Sequence, residues 1–264
     1  MEKFYREKFF LSASDCNAEQ ELALTVLTGK LIETATSHAN HLGIGNPMIE
    51  AKDMHAGWVL ARLTIEVKSY PKANESYEIK TWVESYNRHF SMRCFEISTP
   101  EQGVCGYARS VWMIMDTDKH TNVNLTLFPL PAEVISGEPV PISMQAKHTF
   151  IFTEEEKQKD NNSLIANHPA IFHKFLYSDL DSYRHVKTVK YVTLLMNRFS
   201  LHDHDVNFVR RLELSFLHEA KYGIETQLLR SENEGTGVNS FLLKEVESDQ
   251  ALLFARVMMQ PRKL

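Results

Sequence analysis

The sequence predicts an α+β fold made of two tandem repeats, each containing a long helix followed by an antiparallel sheet. Three observations support this prediction. A segment with helical periodicity occurs once in each half of the 264-residue chain. Four runs of alternating apolar and polar residues follow each of these segments. A short strand-like run and a polar turn precede each of them, so the two halves share one order of elements.

In the first half, a strand is predicted at 4–11, and a polar turn follows it. A helix is expected from about Glu19 to Leu42, with Asn17 and Gln20 at the spacing of a capping box. The residues with the three- and four-residue spacing of a buried helix face are Leu24, Leu27, Leu31, Ala35, His38 and Leu42. The later strands are predicted at 58–67, 77–85, 89–98 and 104–116.

The second half repeats this plan. A strand ends at the turn 177–179, and a helix is expected from about His185 to Leu201. The later strands are predicted at 211–217, 224–230, 238–246 and 251–260. A long helix wrapped by an antiparallel sheet is the hotdog plan, so two copies predict a double hotdog with units at 1–140 and 141–264. The pattern alone leaves another α+β fold open.

The stretch between the halves is rich in proline and charge. Four of the nine prolines lie at 129–141, and a charged run extends from Glu154 to Asp160. Both features disfavour packed regular structure, so a linker is predicted here.

The bulk composition is that of a soluble globular protein, with 43% apolar and 24% charged residues. The net charge of −5 argues against binding to nucleic acid or to anionic lipid. Cys16, Cys94 and Cys105 have no metal or disulfide spacing. Neither a signal peptide nor a run of about 20 apolar residues is present, so a cytoplasmic protein without a membrane span is expected.

Two polar segments contain the side chains best suited to chemistry. Asp181, Tyr183 and His185 lie before or at the start of the second predicted helix, whose free N–H groups could polarise a carbonyl. His185 is expected in the opening turn, where the helix dipole favours the neutral imidazole that a general base needs. Glu219 follows the strand predicted at 211–217. Each of these residues, taken singly, is more often structural.

Several runs together resemble the acyl-acyl carrier protein (ACP) thioesterases of plant plastids and bacteria. The run Asp179-Leu180-Asp181-Ser182-Tyr183-Arg184-His185-Val186 resembles their signature Asp-Leu-Asp-x-Asn-x-His-Val, with Tyr183 in place of Asn. A second signature, in which Glu follows a strand, is similar to 212–223 with Glu219. In the first half, the similar runs are Asn40 to Gly45, Trp58 to Leu63, Tyr70-Pro71-Lys72 and Thr81-Trp82-Val83. The likeness covers nearly the whole chain.

The resemblance implies a thioester hydrolase that releases free fatty acid from acyl-ACP in fatty acid biosynthesis, with no cofactor and no metal. It implies that Glu219 and His185 activate a water, that Asp181 orients the loop, and that Tyr183 stands where the family Asn positions substrate or water. Ala220 replaces a Cys of plant members, which leaves direct water attack. Two alternatives stay open: a non-catalytic acyl or ACP binder, because of Tyr183, and an acyl-coenzyme A thioesterase.

The first half lacks these catalytic residues, since Cys16, Asn17 and Tyr70-Pro71 stand where they might be, so one catalytic set per chain is expected. The C-terminal unit would hold it, and the N-terminal unit would hold the acyl chain. The expected lining of that acyl pocket is Leu24, Leu27, Leu31 and Trp58, although core packing explains these residues equally well.

Basic residues near the site could dock an acidic carrier protein. On a helical wheel, Arg184, Lys187, Lys190 and Arg198 share one arc, and an ordinary solvated face is the alternative. ACP is thus the expected partner, and a homodimer is possible. The run from His202 to Asp205 resembles a metal cluster but has no partner ligands at helical spacing, so no metal site is predicted.

Overall fold

The computed structural model describes residues 2–145, 170–233 and 236–262. Its chain divides into two compact units, Met1–Ser143 and Met144–Leu264. This division lies three residues after the boundary at 140/141 expected from the sequence.

The first unit contains one long helix and a mainly five-stranded antiparallel sheet. Its elements are β1 (Phe4–Phe10), α1 (Leu24–His41), α2 (Asn46–Glu50), β2 (Ala56–Val67), β3 (Ser76–Tyr86), β4 (Ser91–Thr99), β5 (Gly103–Asp116) and β6 (Asn122–Val123). The strand order is β1-β3-β4-β5-β2, and β6 pairs with β5. Helix α1 buries one face because Leu24, Leu27, Leu31 and Ala35 recur at three- and four-residue steps.

The second unit has the same plan. Its elements are β7 (Ile171–Lys174), α3 (Thr188–Met196), α4 (Leu201–Val206), β8 (Asn207–Phe216), β9 (Glu225–Asn233), β10 (Val238–Glu245) and β11 (Ala251–Pro261). The strand order β7-β9-β10-β11-β8 is the first order repeated element by element. All eight long strands predicted from the sequence are present; the largest difference is at β8, which begins at Asn207 rather than Arg211.

The predicted start of the first helix at Glu19 is wrong, because the backbone there is used in a turn. The Asn17 side chain accepts a hydrogen bond from the Glu21 N–H at 2.8 Å, and Gln20 has a positive φ of 59°. The Leu22 N–H then donates to Pro71 O. Asn17 and Gln20 therefore form no capping box, and α1 begins only at Leu24.

The second helix is also shorter than predicted. Arg184 has a positive φ of 67°, and the Val186 N–H donates to Ala220 O, so α3 begins at Thr188 rather than at His185. It ends at Met196, and a separate helix α4 follows. Ser200 and Asp203 start α4 by a reciprocal capping box.

The prediction of a linker at 129–141 is wrong. Phe128, Val134 and Val140 are buried against the first unit, and the Trp82 indole N–H donates to Glu138 O at 2.7 Å. Apolar residues between the prolines give this segment enough buried surface to pack, with one short 3₁₀ helix at Ala132–Val134 as its regular structure. The charged run from Glu154 to Asp160 lies outside the described residues.

No helix among the described residues is long and apolar enough to cross a membrane.

Candidate active site

The loop before α3 is held in a tight turn by Asp181. Its Oδ1 accepts hydrogen bonds from the backbone N–H groups of Tyr183 at 2.9 Å and His185 at 3.0 Å. The Asp181 N–H in turn donates to His185 O at 2.8 Å. This closed turn requires the left-handed backbone seen at Arg184, a conformation that residues with a Cβ adopt at some cost. Asp181 thereby fixes the backbone position of His185.

Backbone pairing joins this loop to the segment after β8. The Val186 N–H donates to Ala220 O at 3.0 Å, and His185 forms an isolated antiparallel bridge with Lys221. Two segments that are distant in sequence are therefore aligned side by side. This alignment brings His185 next to Glu219.

His185 and Glu219 form the central contact of the candidate site. His185 Nε2 lies 3.2 Å from Glu219 Oε2, and the two side chains are 28% and 32% exposed. The two ionisable groups are therefore within hydrogen-bond distance of each other, and both are accessible to water. An imidazole paired with a carboxylate in this way can accept a proton from a water molecule.

The predicted position of His185 inside the opening turn of a helix is wrong. Helix α3 begins at Thr188 after the N-cap residue Lys187. The N–H groups of His185, Val186 and Lys187 are all engaged, with Asp181 Oδ1, Ala220 O and Asp179 O respectively. His185 therefore precedes the helix by three residues instead of lying in its first turn.

Tyr183 projects from the same turn with a side chain that is 51% exposed. Its backbone N–H is held by Asp181, and its ring is at the surface rather than packed in the core. A ring with this exposure does not fill a buried cavity.

Asp179 is a positioning residue that the sequence argument did not single out. Its Oδ2 accepts from the Leu176 N–H at 2.8 Å, and its Oδ1 lies 3.1 Å from Lys190 Nζ. Burial alone would raise the pKa of Asp179, but the Leu176 N–H and the Lys190 ammonium outweigh it, so the pKa is lowered. The signal was available, because Asp179 is the first Asp of the Asp-x-Asp run.

The prediction that the four basic residues share one arc of a helix is wrong, because only Lys190 lies within α3. Arg184 and Lys187 are exposed but precede α3, and Arg198 follows it with its Nε buried. Lys190 is within α3 and is paired with Asp179. Of these four residues, only Arg184 and Lys187 are exposed.

The first unit contains a small pocket of about 50 Å³ between the second half of α1 and strands β2, β4 and β5. Trp58 lines it, as do Ala39 and Trp112. Leu27 and Leu31 do not line it; they are fully buried in α1. Arg93 also lines this pocket, and the sequence argument missed it, although strand alternation puts Arg93 on the same face as Phe95 and Ile97.

The corresponding turn of the first unit, 17–22, holds Glu21 instead of an imidazole. Glu21 Oε1 accepts from Lys72 Nζ at 2.6 Å. No second Asp-x-x-x-His set is expected in the first unit. The ion pair of Glu21 with Lys72 stands at the corresponding place.

The run from His202 to Asp205 lies inside α4 rather than after a helix end. Asp203 caps this helix, and His204 Nε2 lies 3.2 Å from Met196 O. Within the described ranges, no group of three or more His, Cys, Asp or Glu side chains is arranged to hold a metal ion.

Comparison with known proteins gives matches over most of the chain. Residues 2–126 match the family model described as acyl-ACP thioesterase N-terminal domain. The chain is 24% identical over 231 residues to oleoyl-acyl carrier protein thioesterase 2, chloroplastic, of Arabidopsis thaliana. It is 24% identical over 255 residues to palmitoyl-acyl carrier protein thioesterase, chloroplastic, of Gossypium hirsutum. These matches cover 82% and 94% of this chain but only 60% of each plant protein.

Solved structures confirm the predicted fold. An acyl-ACP thioesterase from Bacteroides thetaiotaomicron has a TM-score of 0.83 and 23% identity, with 98% of both chains covered. The 12:0-ACP thioesterase from Umbellularia californica has a TM-score of 0.83 and 15% identity, with 99% of both chains covered. The protein is a double hotdog that carries an imidazole–carboxylate pair. Its sequence is similar to acyl-ACP thioesterases over most of the chain, in agreement with the resemblance found in the signature runs.

Proposed function

We propose that this protein is a thioester hydrolase that releases free fatty acid from acyl-ACP in fatty acid biosynthesis. The observation that carries the proposal is the 3.2 Å contact between His185 Nε2 and Glu219 Oε2 in a water-accessible position. Relatives named as acyl carrier protein thioesterases support the substrate class. The chain spans 60% of the length of these relatives, so the activity is part of the proposal.

The proposed reaction is direct attack by water. When Nε2 of His185 carries the proton, it donates to Glu219, and Nδ1 is left as the acceptor for a proton from water. The resulting hydroxide adds to the thioester carbonyl carbon, and the carbonyl becomes an oxyanion. Collapse of this intermediate breaks the C–S bond and forms the acid, while the departing thiolate takes the proton back from the imidazolium.

Cysteine chemistry has little support in this chain. Ala220 follows Glu219, where plant members of the family have Cys. Cys94 is fully buried, and burial raises its pKa to about 12; burial also raises the pKa of Cys105. A thiol that resists ionisation is a poor nucleophile.

In this proposal Asp181 and Tyr183 assist the pair. Asp181 is a positioning residue, because it holds the backbone of the turn that carries His185. Tyr183 donates a phenolic hydrogen bond to substrate or water, in the role that the family gives to Asn. Trp58 contacts the acyl chain in the first unit, whereas Leu27 and Leu31 act through the core beneath it.

The partner in this proposal is ACP, and the compartment is the cytoplasm. The three cysteines are unpaired, as is usual in a reducing compartment. A homodimer remains a prediction from the sequence, and sedimentation of the purified protein would test it.

The test is an assay of the purified protein on a panel of acyl-ACP substrates of increasing chain length, with release of the carrier thiol as the signal. His185→Ala and Glu219→Gln should each lower kcat by about 10²–10⁴-fold. Glu21→Gln is the matched control in the other unit and should leave kcat unchanged. Absence of turnover at every chain length, in a protein that binds acyl-ACP, would establish the non-catalytic binder instead. Preference for coenzyme A over ACP thioesters in direct competition would establish the third alternative.

A further inference from the structure

Tyr191 is a buried phenol near the start of α3, and the proposed mechanism does not use it. It is only 3% exposed, whereas Tyr183, in the loop before the same helix, is 51% exposed. A buried phenol needs a partner for its hydroxyl, because an unsatisfied hydroxyl in the core is costly. The groups around Tyr191 therefore indicate what this side chain holds in place.

The ring of Tyr191 packs between the ends of two strands. Its centroid lies 5.6 Å from that of Phe175 and 5.4 Å from that of Phe216, with interplanar angles of 57° and 76°. Both distances are typical of favourable aromatic pairs. Phe175 directly follows β7 and precedes the loop that carries His185, and Phe216 ends β8, three residues before Glu219. The ring thus fixes the start of both active-site segments against α3.

The hydroxyl of Tyr191 meets the backbone next to Glu219. Burial raises the pKa of Tyr191, and a hydrogen bond with the backbone of Ala220 opposes this by lowering the pKa. A contact that lowers the pKa of a phenol stabilises its charged form, so the Ala220 N–H is the donor. The charges of Glu219 and Asp181 raise the pKa further, which means that both carboxylates lie near the phenol. Since Ala220 O accepts from the Val186 N–H at 3.0 Å, Ala220 is held through both of its backbone groups.

The first unit has no such phenol at the corresponding position. Tyr191 follows His185 by six residues, and Leu27 follows Glu21 by six residues. Leu27 is fully buried in α1 and has no hydroxyl to offer. Glu21 pairs there with Lys72, and no imidazole–carboxylate pair has to be aligned. The phenol therefore accompanies the imidazole–carboxylate pair rather than the backbone frame that the two units share.

We propose that Tyr191 is a positioning residue for the hydrolysis. It holds the segment Glu219–Ala220, through the Ala220 N–H, where Glu219 Oε2 lies 3.2 Å from His185 Nε2. This inference rests on the proposed function, in which that pair activates water. Tyr191 acts through Glu219 and does not itself contact the substrate. A displacement of about 1 Å at a catalytic group can lower a rate by about 10²-fold, so the loss of one anchoring hydrogen bond is measurable in kcat.

Tyr191→Phe tests the hydroxyl, because it keeps both ring contacts. We expect kcat on acyl-ACP to fall by about 10–10²-fold while KM stays unchanged, the pattern of a lost interaction that serves only the transition state. Tyr191→Leu, which copies Leu27, should lower kcat further, because the ring contacts are lost as well. A Tyr191→Phe protein with wild-type kcat would overturn the proposal.

Tyr86→Phe is the matched control in the first unit. Its hydroxyl donates to Phe128 O at 2.7 Å, so this variant also removes one hydrogen bond of a partly buried phenol. Both Phe variants should lower the urea midpoint of unfolding, but Tyr86→Phe should leave kcat at the wild-type value. An equal loss of kcat in the two variants would show an effect of general stability and would overturn the positioning role.

Amide hydrogen exchange tests the placement without any turnover. The Val186 N–H reports on the Glu219–Ala220 segment, because it donates to Ala220 O, whereas the His185 N–H donates to Asp181 within its own turn. Tyr191→Phe should speed exchange of the Val186 N–H by about 5–10-fold, the usual value of one hydrogen bond, and should leave the His185 N–H nearly unchanged. Unchanged exchange at Val186, or equal acceleration at both amides, would contradict the proposed anchor.

The two measurements separate this inference from the proposed function. Absence of turnover by the wild-type protein at every chain length refutes the function, and exchange of the Val186 N–H then still decides whether Tyr191 holds the segment. Wild-type turnover that survives in Tyr191→Phe refutes the inference and leaves the function intact.

Discussion

Glu21 occupies in the first unit the position that His185 occupies in the second. Each residue donates its N–H to the side-chain oxygen four residues earlier, Asn17 or Asp181, and each follows a residue with positive φ. Each forms an isolated bridge with a lysine, Lys72 or Lys221. The same backbone frame therefore holds a carboxylate–ammonium pair in one unit and an imidazole–carboxylate pair in the other.

This correspondence predicts that Glu21 stabilises the fold without serving the reaction. Its side chain is only 6% exposed and pairs with Lys72 at 2.6 Å. Glu21→Gln should lower the free energy of unfolding by about 1.5–3 kcal/mol, the usual value of a hydrogen bond to a charged group. Urea unfolding measures this change, and kcat on acyl-ACP should stay at the wild-type value. A large loss of kcat in a folded Glu21→Gln protein would contradict the assignment.

The repeated architecture was predictable because hydrophobic periodicity determines it. The alternation of apolar and polar residues placed every long strand, and the spacing of Leu24, Leu27 and Leu31 identified the buried face of α1. Helix starts were not predictable in this way. At both starts the deciding interactions are long-range, Leu22 N–H to Pro71 O and Val186 N–H to Ala220 O, and no local pattern reveals them.

The candidate site was predictable only in part. The signature runs pointed to His185 and Glu219, and the two side chains do meet. Glu21 and Lys72 have no signature, so their correspondence to the site emerges only from the backbone pairing. The prediction for the segment 129–141 is wrong because proline content indicates irregular backbone but does not show whether Val134 and Val140 are buried.

Asp181 should act through geometry rather than through charge. Asn17, its counterpart, makes the same contact with a neutral side chain, since its Oδ1 accepts from the Glu21 N–H at 2.8 Å. Asp181→Asn should therefore keep kcat within about 10-fold of wild type, whereas Asp181→Ala should lower it by about 10², the effect of a misplaced catalytic group. Rescue by Asn is the decisive readout. Equal losses in both variants would show that the carboxylate charge itself is required.

Variants of Tyr183 test whether its phenol takes the role of the Asn that the family has at this position. If its phenol donates to the developing oxyanion or to water, Tyr183→Phe should lower kcat by about 10²-fold with little change in stability, because the ring is half exposed. Tyr183→Asn should restore a shorter donor and exceed Tyr183→Phe in kcat. Steady-state kinetics with one acyl-ACP measures both variants. A Tyr183→Phe protein with wild-type kcat would remove the hydroxyl from the mechanism.

Exposed charge near the site should steer the acidic carrier. Arg184 and Lys187 are exposed, so Arg184→Glu and Lys187→Glu should each raise KM for acyl-ACP by roughly 3–10-fold, and added salt should weaken the effect. An uncharged N-acetylcysteamine thioester of the same acid is the control substrate, and its KM should not change. Lys190→Gln should instead reduce stability, because Lys190 pairs with Asp179. Equal shifts of KM for both substrates would point to a disturbed active site rather than to docking.

Stability should fall as the pH drops from about 6.5 to about 4, because His38 is held neutral in the fold. Burial, with Arg93 beside the ring, lowers the pKa of His38 from 6.5 to about 4. Below pH 6.5 the unfolded chain takes up a proton that the folded chain does not, so folding loses free energy until the pH reaches the folded pKa. For these two pKa values the loss between pH 7 and pH 5 is about 2 kcal/mol. The lowered pKa of Asp179 affects stability only below its ordinary value of 3.8, outside this pH range.

Urea unfolding of the wild-type protein and of His38→Gln, at pH 7 and at pH 5, isolates the contribution of His38. The variant should be less stable at pH 7, but its stability should change less between the two pH values, by about the amount given above. An identical pH dependence in the two proteins would mean that the fold does not lower the pKa of His38, despite the 2.7 Å contact of its Nδ1 with Arg93 Nη1.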